Sequence, residues 1–98
     1  MSSENRTVAR RFLVRGRVQG VGFRWFVERE AHLLDIKGWV RNNADGTVEV
    51  LAMGSDEQLA GFRRRLQRGP RAARVDQVEE LEAQPVAGLN TFRIEGAW

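Results

Sequence analysis

The chain has 98 residues, 42% of them hydrophobic and 30% charged, a composition typical of a single globular domain, here expected over residues 1–98. The absence of cysteine excludes disulfides, thiolate nucleophiles and cysteine metal sites, and it fits a cytoplasmic protein. Every basic residue except Lys37 is an arginine, but acidic residues lie among them and the formal net charge is +3, so an anionic substrate is favoured and nucleic acid is not required as a partner.

The first predicted element is a half-buried strand from Val8 to Val18, where apolar residues alternate with arginines at a period of two. It follows residues 1–6, which are expected to be flexible. A glycine-rich segment then leads into an amphipathic helix over about residues 23–34, in which apolar residues recur at steps of three and four. Asp35 marks the end of this helix, because aspartate is tolerated in turns and left-handed conformations.

A second strand carries Gly38 to Arg41, and the turn residues at 43–46 join it to a third strand over Thr47–Met53. These two strands are therefore predicted to be adjacent and antiparallel. The third strand alternates between two faces, and we expect Val48, Val50 and Ala52 on one and Thr47, Glu49 and Leu51 on the other.

A second helix opens with a capping box formed by Ser55 and Gln58 and ends before Gly69. Four arginines on it are expected to stay largely in solvent: Arg63, Arg64, Arg65 and Arg68. Two extended segments follow, over about Arg74–Leu81 and Thr91–Glu95. This order of elements predicts an α+β, ferredoxin-like βαββαβ sandwich, with a mainly antiparallel sheet, two helices on one face and a short extra C-terminal strand.

The segment GRVQGVGFR, from Gly16 to Arg24, joins the first strand to the first helix and is the candidate functional site. Glycines let the backbone approach a ligand closely, and a helix N-terminus presents unpaired N–H groups with a positive partial charge. Arg24 lies in the first turn, where the helix dipole disfavours a cation, yet its planar guanidinium can bind two phosphate oxygens. The segment predicts an anion-binding loop, although a tight strand-to-helix connection alone would also explain the glycines.

Several groups that phosphate chemistry often uses are missing. The glycine spacing matches neither a dinucleotide-binding fingerprint nor a Walker loop, and Val18 stands where a cysteine-based phosphatase loop would have its cysteine. His32, the only histidine, falls on the outward face of its helix and is expected to be solvated, and the acidic residues show no metal-ligand spacing. Such a site suits substrates whose leaving group departs without protonation, as the carboxylate of an acyl phosphate does.

Three segments together resemble the acylphosphatase family: VQGVGFR at Val18–Arg24, GWVRN at Gly38–Asn42 and DGTVEV at Asp45–Val50. The resemblance covers the chain from about Val8 to its C-terminus. It implies the ferredoxin-like fold and a small cytosolic enzyme that hydrolyses the carboxylic–phosphoric anhydride bond of acyl phosphates without a metal or other cofactor. We expect a small-molecule acyl phosphate as substrate, no nucleic-acid partner, no membrane association and a monomer.

The resemblance also implies roles for individual residues. Arg24 matches the family's phosphate-binding arginine, and Asn42 matches the asparagine that orients the attacking water. The loop whose backbone N–H groups bind the phosphate corresponds to Gln19, Gly20, Val21, Gly22 and Phe23. Asn42 suits this role chemically, because an amide holds water by hydrogen bonds but cannot take its proton, which leaves the substrate phosphate as acceptor. Two departures from the family pattern, Asp35 and Gly22, do not touch this chemistry.

Two alternatives keep the fold without catalysis. A ferredoxin-like sheet with many arginines could bind RNA, but its strands lack the paired aromatic residues that stack bases, since Phe12 stands alone on the apolar side. A carrier or regulatory role, as in acylphosphatase-like domains within larger enzymes, would also keep the anion-binding loop. The length of the chain favours the free-standing enzyme over this second alternative.

Overall fold

The computed structural model describes residues 6–96, and these residues contain the predicted strands and helices in the predicted order. The elements are β1 (Val8–Arg17), α1 (Phe23–Leu33), β2 (Lys37–Asn42), β3 (Val48–Gly54), α2 (Asp56–Arg68), β4 (Arg74–Ala83) and β5 (Phe92–Ile94). Residues 1–5, which include most of the segment expected to be flexible, lie outside the described residues, as do residues 97–98.

The strands form one sheet in the order β4-β1-β3-β2-β5. β1 pairs antiparallel with β3 and with β4, β2 pairs antiparallel with β3, and the short β5 runs parallel to β2. One continuous apolar core joins both helices to the sheet. This architecture is the predicted βαββαβ sandwich with an extra C-terminal strand.

Phe62 of α2 connects the two halves of the sheet through the core. Its ring meets Phe12 of β1 and Phe92 of β5 edge-on, with centroids 6.1 Å and 6.2 Å apart. Edge-to-face pairs of this kind each stabilise a protein by about 0.5–1.5 kcal/mol beyond the area that they bury. Since β5 lies beside β2 and β1 lies beside β4, this one helix residue contacts distant parts of the sheet.

β3 alternates between two faces as predicted, but both of its faces are buried. Glu49, on the face away from the core, is covered because arginines from both neighbouring strands reach over it: Arg11 Nε lies 3.5 Å and Arg41 Nη2 3.0 Å from its carboxylate oxygens. Arginine shields sheet surface with its aliphatic stem while its head group remains in water. The central position of β3 therefore buries residues that the alternation alone would leave exposed.

The helix ends follow local rules that are visible in the sequence. Ser55 and Gln58 form the predicted capping box, in which the Ser55 N–H donates to Gln58 Oε1 at 2.8 Å and the Gln58 N–H donates to Ser55 Oγ at 3.1 Å. Asp35 has the expected left-handed conformation, with φ of 58°, and accepts a hydrogen bond from Lys37 Nζ at 2.9 Å. Neither helix in the described part of the chain has the length and apolar character needed to cross a membrane.

The expectation for the arginines of α2 is met by three of the four. Arg63, Arg64 and Arg68 are exposed, but Arg65 is half-buried and forms an ion pair with Glu30, a buried residue of α1. The sequence pattern indicated no partner for Arg65, because the contact depends on how α1 and α2 pack against each other.

Candidate active site

A small cleft of about 140 Å³ lies at the junction between β1 and α1. Its lining joins the loop and the first turn of α1 to the end of β2: Val18, Gly20, Gly22, Phe23, Arg24, Trp25 and Asn42. The fold therefore brings Arg24 and Asn42, the two predicted catalytic residues, to one cleft. Of the other predicted loop residues, Gly20, Gly22 and Phe23 line the cleft, while Val21 packs against the core.

The loop reaches α1 through two glycines in left-handed conformations. Gly20 has φ of 75° and Gly22 has φ of 77°, and a Cβ at either position would meet nothing within 4 Å. Glycine is therefore required by the backbone conformation and not by lack of space. Gly22 is also the N-cap of α1, where it offers no side chain to the first-turn N–H groups, and the first turn holds no acidic residue. These N–H groups and the helix dipole remain available to an anion.

Gly16 is a glycine for a different reason, the close packing of β1 against β4. It lies in β1 at a register shift between β1 and β4, with φ of 133°, and a Cβ there would lie 2.1 Å from the carbonyl oxygen of Arg74. This glycine is required by the close approach of two strands. Strand packing therefore explains Gly16, and the predicted anion-binding loop, Gln19 to Phe23, begins after it.

Arg24 carries a positive charge into the cleft without a carboxylate partner among residues 6–96. Its Nη1 donates a hydrogen bond to the backbone carbonyl oxygen of Glu95, just after β5, at 3.3 Å. The Glu95 carboxylate instead pairs with Arg93 at 3.1 Å. Among residues 6–96 the other guanidinium donors of Arg24 have no hydrogen-bond partner, and the bond to Glu95 orients the side chain.

Asn42 is the last residue of β2, and its side chain has an unmet acceptor. Its Oδ1 is buried and has no hydrogen-bond partner within the described residues. Leaving a buried acceptor unpaired costs about 1–3 kcal/mol, and unpaired groups of this kind often mark functional sites. Asn42 therefore lines the cleft with an acceptor that no described residue satisfies.

Gln19 has a role that sequence reasoning missed. Its Nε2 donates to the carbonyl oxygens of Asn43 at 2.8 Å and Thr47 at 2.9 Å, so its side chain ties the loop to the β2–β3 turn directly after Asn42. Within the turn, the Thr47 hydroxyl and N–H donate to Asp45 Oδ1, and the hydroxyl bond in particular lowers the pKa of the Asp45 carboxyl below its ordinary value. No local sequence signal reveals the Gln19 contact, because the two segments meet only in the folded chain.

His32 does not line the cleft. It is exposed on α1, and its Nε2 lies 3.4 Å from the carbonyl oxygen of Phe92. Among residues 6–96 there is no group of three or more His, Cys, Asp or Glu side chains placed to hold a metal ion. The chemistry that this cleft offers is that of backbone N–H groups, a guanidinium and an amide.

The sequence of this chain matches one protein-family model and is similar to the sequences of known proteins. The family model described as Acylphosphatase matches residues 10–94. The acylphosphatase of Koribacter versatilis is 57% identical over 98 residues, which cover 100% of this chain and 87% of that protein. The acylphosphatase of Actinobacillus succinogenes is 49% identical over 88 residues, or 90% of this chain and 98% of that protein.

Solved structures of similar proteins have the same fold. The crystal structure of acylphosphatase from Bacillus subtilis matches with a TM-score of 0.86 and 38% identity, covering 91% of this chain and 99% of that one. A crystal structure of full-length HypF, in a phosphate- and nucleotide-bound form, matches with a TM-score of 0.85 and 30% identity. There the match covers 93% of this chain but 12% of the HypF chain, so the same fold also occurs within a much larger protein.

Proposed function

Because the chain belongs to the acylphosphatase family, we propose that the cleft at the start of α1 is the active site at which it hydrolyses acyl phosphates. The chain is a hydrolase of acid anhydrides: it splits an acyl phosphate into a carboxylate and inorganic phosphate. The observation that carries the site assignment is that one small cleft is lined by Arg24, the uncapped start of α1 and Asn42, whose Oδ1 has no hydrogen-bond partner among residues 6–96.

Arg24 and the loop backbone hold the substrate phosphate in this proposal. The N–H groups of Gln19 to Phe23 surround the phosphate oxygens, and the Arg24 guanidinium binds two of them as the negative charge shifts during the reaction. The lack of a carboxylate next to Arg24 among the described residues supports this role, since no neighbouring anion competes for the guanidinium.

Asn42 orients the water that attacks phosphorus. Its amide oxygen accepts a hydrogen bond from the water, and the water proton passes to a phosphate oxygen of the substrate, because an amide is not a base at neutral pH. The P–O bond to the acyl group breaks, and the carboxylate leaves without a proton, since an ordinary carboxylic acid has a pKa of about 4. The reaction therefore needs positioning and electrostatic stabilisation more than acid–base catalysis.

The first test compares two variants on acetyl phosphate. We expect Arg24→Gln to weaken phosphate binding and to lower kcat/KM by about 100-fold or more, and Asn42→Ala to lower mainly kcat by a similar factor. Arg68→Gln, which removes the same charge from an exposed arginine at the end of α2 that does not line the cleft, serves as the control and should retain activity. Unchanged kcat in a folded Asn42→Ala protein would remove the asparagine from the mechanism.

A second test concerns the class of substrate and the need for a metal. We propose that the reaction is metal-independent and selective for the anhydride, because none of the described residues that line the cleft is an acid able to protonate a poorer leaving group. Hydrolysis of acetyl phosphate should persist in the presence of a chelator, while an ordinary phosphate monoester such as phenyl phosphate should remain intact. Loss of activity with chelator, or equal turnover of both substrates, would contradict this mechanism.

We also propose that residues 1–98 form a monomeric, cytoplasmic enzyme of one domain that has no nucleic-acid partner. Arginines on its surface are widely paired with acidic residues, as in Arg15 with Glu79 at 3.2 Å, which weakens any attraction to phosphate backbones. Gel filtration at the mass of one chain and an absence of salt-dependent RNA binding are the expected results. RNA binding that survives Arg24→Ala would favour the non-catalytic alternative.

A further inference from the structure

Trp25 is a large apolar side chain that stays in solvent at the edge of the active-site cleft. It follows Arg24 in the first turn of α1, it belongs to the cleft lining, and 73% of it is exposed. Single exposed hydrophobic residues are common on protein surfaces and need no explanation by themselves. The position of Trp25 is what distinguishes it, because it lies beside the residues that we assign to phosphate binding.

The other residues of the cleft offer little to an apolar ligand. Val18 and Phe23 are each 1% exposed, so their side chains belong to the core and not to the cleft surface. Gly20 and Gly22 have no side chains, and the remaining residues are the guanidinium and the amide that we assign to the phosphate and to water. Among the residues that line the cleft, Trp25 alone presents a large, accessible apolar surface.

In the proposed function the substrate phosphate occupies the part of the cleft that Arg24 and the loop backbone line, and Trp25 lines the same cleft. An acyl group bonded to that phosphate therefore lies in the cleft or at its rim, where the indole is exposed. We propose that the indole of Trp25 forms the acyl-group subsite and gives the enzyme a preference for aromatic acyl phosphates over acetyl phosphate. This inference rests on the proposed function, since it assumes that the cleft binds the phosphate of an acyl phosphate.

The physical basis of the preference is stacking on a preorganised surface. An aromatic acyl group that lies against the indole removes apolar area of both rings from water and gains the additional attraction of an aromatic pair. Tryptophan has two side-chain torsions, so ordering its ring loses little conformational entropy. A methyl group, as in acetyl phosphate, covers far less of the indole and gains correspondingly less.

The test measures kcat/KM for benzoyl phosphate and acetyl phosphate in the wild type, Trp25→Ala and Trp25→Phe. We expect Trp25→Ala to lower the benzoyl-to-acetyl ratio of kcat/KM by roughly three- to ten-fold, as the loss of an aromatic pair predicts. Trp25→Phe should recover part of the ratio because it restores a ring. Equal losses on both substrates, or an unchanged ratio, would overturn the proposal.

Leu33→Ala is the matched control. Leu33 is 67% exposed at the last residue of the same helix, about 12 Å along the axis from Trp25, and does not line the cleft. Its removal should leave the substrate ratio unchanged, and a ratio that falls as it does in Trp25→Ala would contradict the subsite.

Binding of uncleaved analogues separates this proposal from the function on which it rests. Titration calorimetry with phenacylphosphonate and acetonylphosphonate should show a three- to ten-fold loss of the aromatic preference in Trp25→Ala, without any turnover. If Arg24→Gln retains full activity, the proposed site is wrong. If Arg24→Gln is inactive but the aromatic preference survives in Trp25→Ala, the phosphate site stands and the acyl-group subsite is wrong.

Discussion

At the scale of single residues, the candidate site consists of polar groups whose hydrogen-bonding capacity the protein does not use itself. Asn42 Oδ1 is buried and has no hydrogen-bond partner within the described residues. Arg24 donates to one backbone carbonyl oxygen, that of Glu95. Such groups lower the stability of the folded protein, and a ligand that pairs with them recovers this free energy on binding. Gln19 differs from both, because its amide nitrogen donates two hydrogen bonds to backbone carbonyl oxygens of the protein.

We predict that Gln19 positions Asn42. Gln19→Leu removes the two hydrogen bonds to the β2–β3 turn and should lower stability by about 1 kcal/mol, because each carbonyl keeps a second donor from the backbone. The turn directly after Asn42 is then held less firmly, and kcat for acetyl phosphate should fall by about ten-fold with a smaller change in KM. Steady-state kinetics together with urea unfolding measure both effects.

A double variant shows whether the effect passes through Asn42. If it does, Gln19→Leu should lower kcat very little further in an Asn42→Ala background, since the group that it positions is already gone. Gln67→Leu, on the exposed side of α2, is the control for replacing a glutamine and should change neither kcat nor KM. Additive losses in the double variant would instead assign Gln19 a role independent of Asn42.

At the scale of elements, an ion pair with a buried carboxylate connects α1 to α2. Glu30 has 6% of its side chain exposed and accepts hydrogen bonds from Arg65 of α2 and from Arg29. Burial disfavours the ionised carboxylate, but the hydrogen bonds and charges of Arg65 and Arg29 outweigh it and hold the pKa of Glu30 below its ordinary value of 4.5. Glu30 is therefore ionised in the folded protein at neutral pH.

The lowered pKa predicts how stability depends on pH. A carboxyl whose pKa is lower in the folded than in the unfolded state stabilises the protein above the unfolded value, and this contribution disappears as pH falls through the folded value. At pH 7, Glu30→Gln should reduce the free energy of unfolding by about 2 kcal/mol, as expected for hydrogen bonds to a charged group. The difference between variant and wild type should shrink below about pH 4.5, measured by urea unfolding at several pH values.

Glu28→Gln provides the comparison for this experiment. Glu28 is less buried on the same helix, so its replacement should change the free energy of unfolding by no more than about 0.5 kcal/mol at any pH. A Glu30→Gln penalty that stays constant down to pH 3 would show that the ion pair is not the source of the stabilisation.

At the scale of the whole molecule, three separate segments contribute to the candidate site. The start of α1 supplies the loop and Arg24, the end of β2 supplies Asn42, and the residue after β5 supplies the carbonyl that orients Arg24. β5 pairs parallel with β2, and the Glu95 N–H donates to the Val40 carbonyl oxygen at 2.8 Å. The extra C-terminal strand thus takes part in shaping the cleft as well as in completing the sheet.

Binding at such a site should stabilise the entire fold. Inorganic phosphate at ten times its Kd contributes about 1.4 kcal/mol if it binds the native state alone, which raises Tm by roughly 6–10 °C in a domain of this size. We expect this shift in thermal denaturation of the wild type and its loss in Arg24→Gln, with sodium chloride at equal ionic strength as the control. A shift of equal size in Arg24→Gln would place the bound phosphate elsewhere.

The sequence by itself determined the order and type of the elements and most of their ends. Alternating and three-to-four-residue patterns, the capping box at Ser55 and the left-handed Asp35 are local features, and the structure contains each of them. The loop glycines also carried a local signal, because positive φ angles at Gly20 and Gly22 restrict those positions to glycine. Arg24 and Asn42 could be proposed from sequence motifs, and the fold brings both to one cleft.

The tertiary structure alone decided which side chains meet. The Gln19 contacts to the β2–β3 turn, the pairing of Arg65 with Glu30 and the burial of Glu49 beneath two arginines all join segments that are distant in sequence. Hydrophobic periodicity reports which face of an element is apolar, but it carries no information about the partner of a polar side chain. That partner depends on strand order and helix packing, and these are properties of the folded chain.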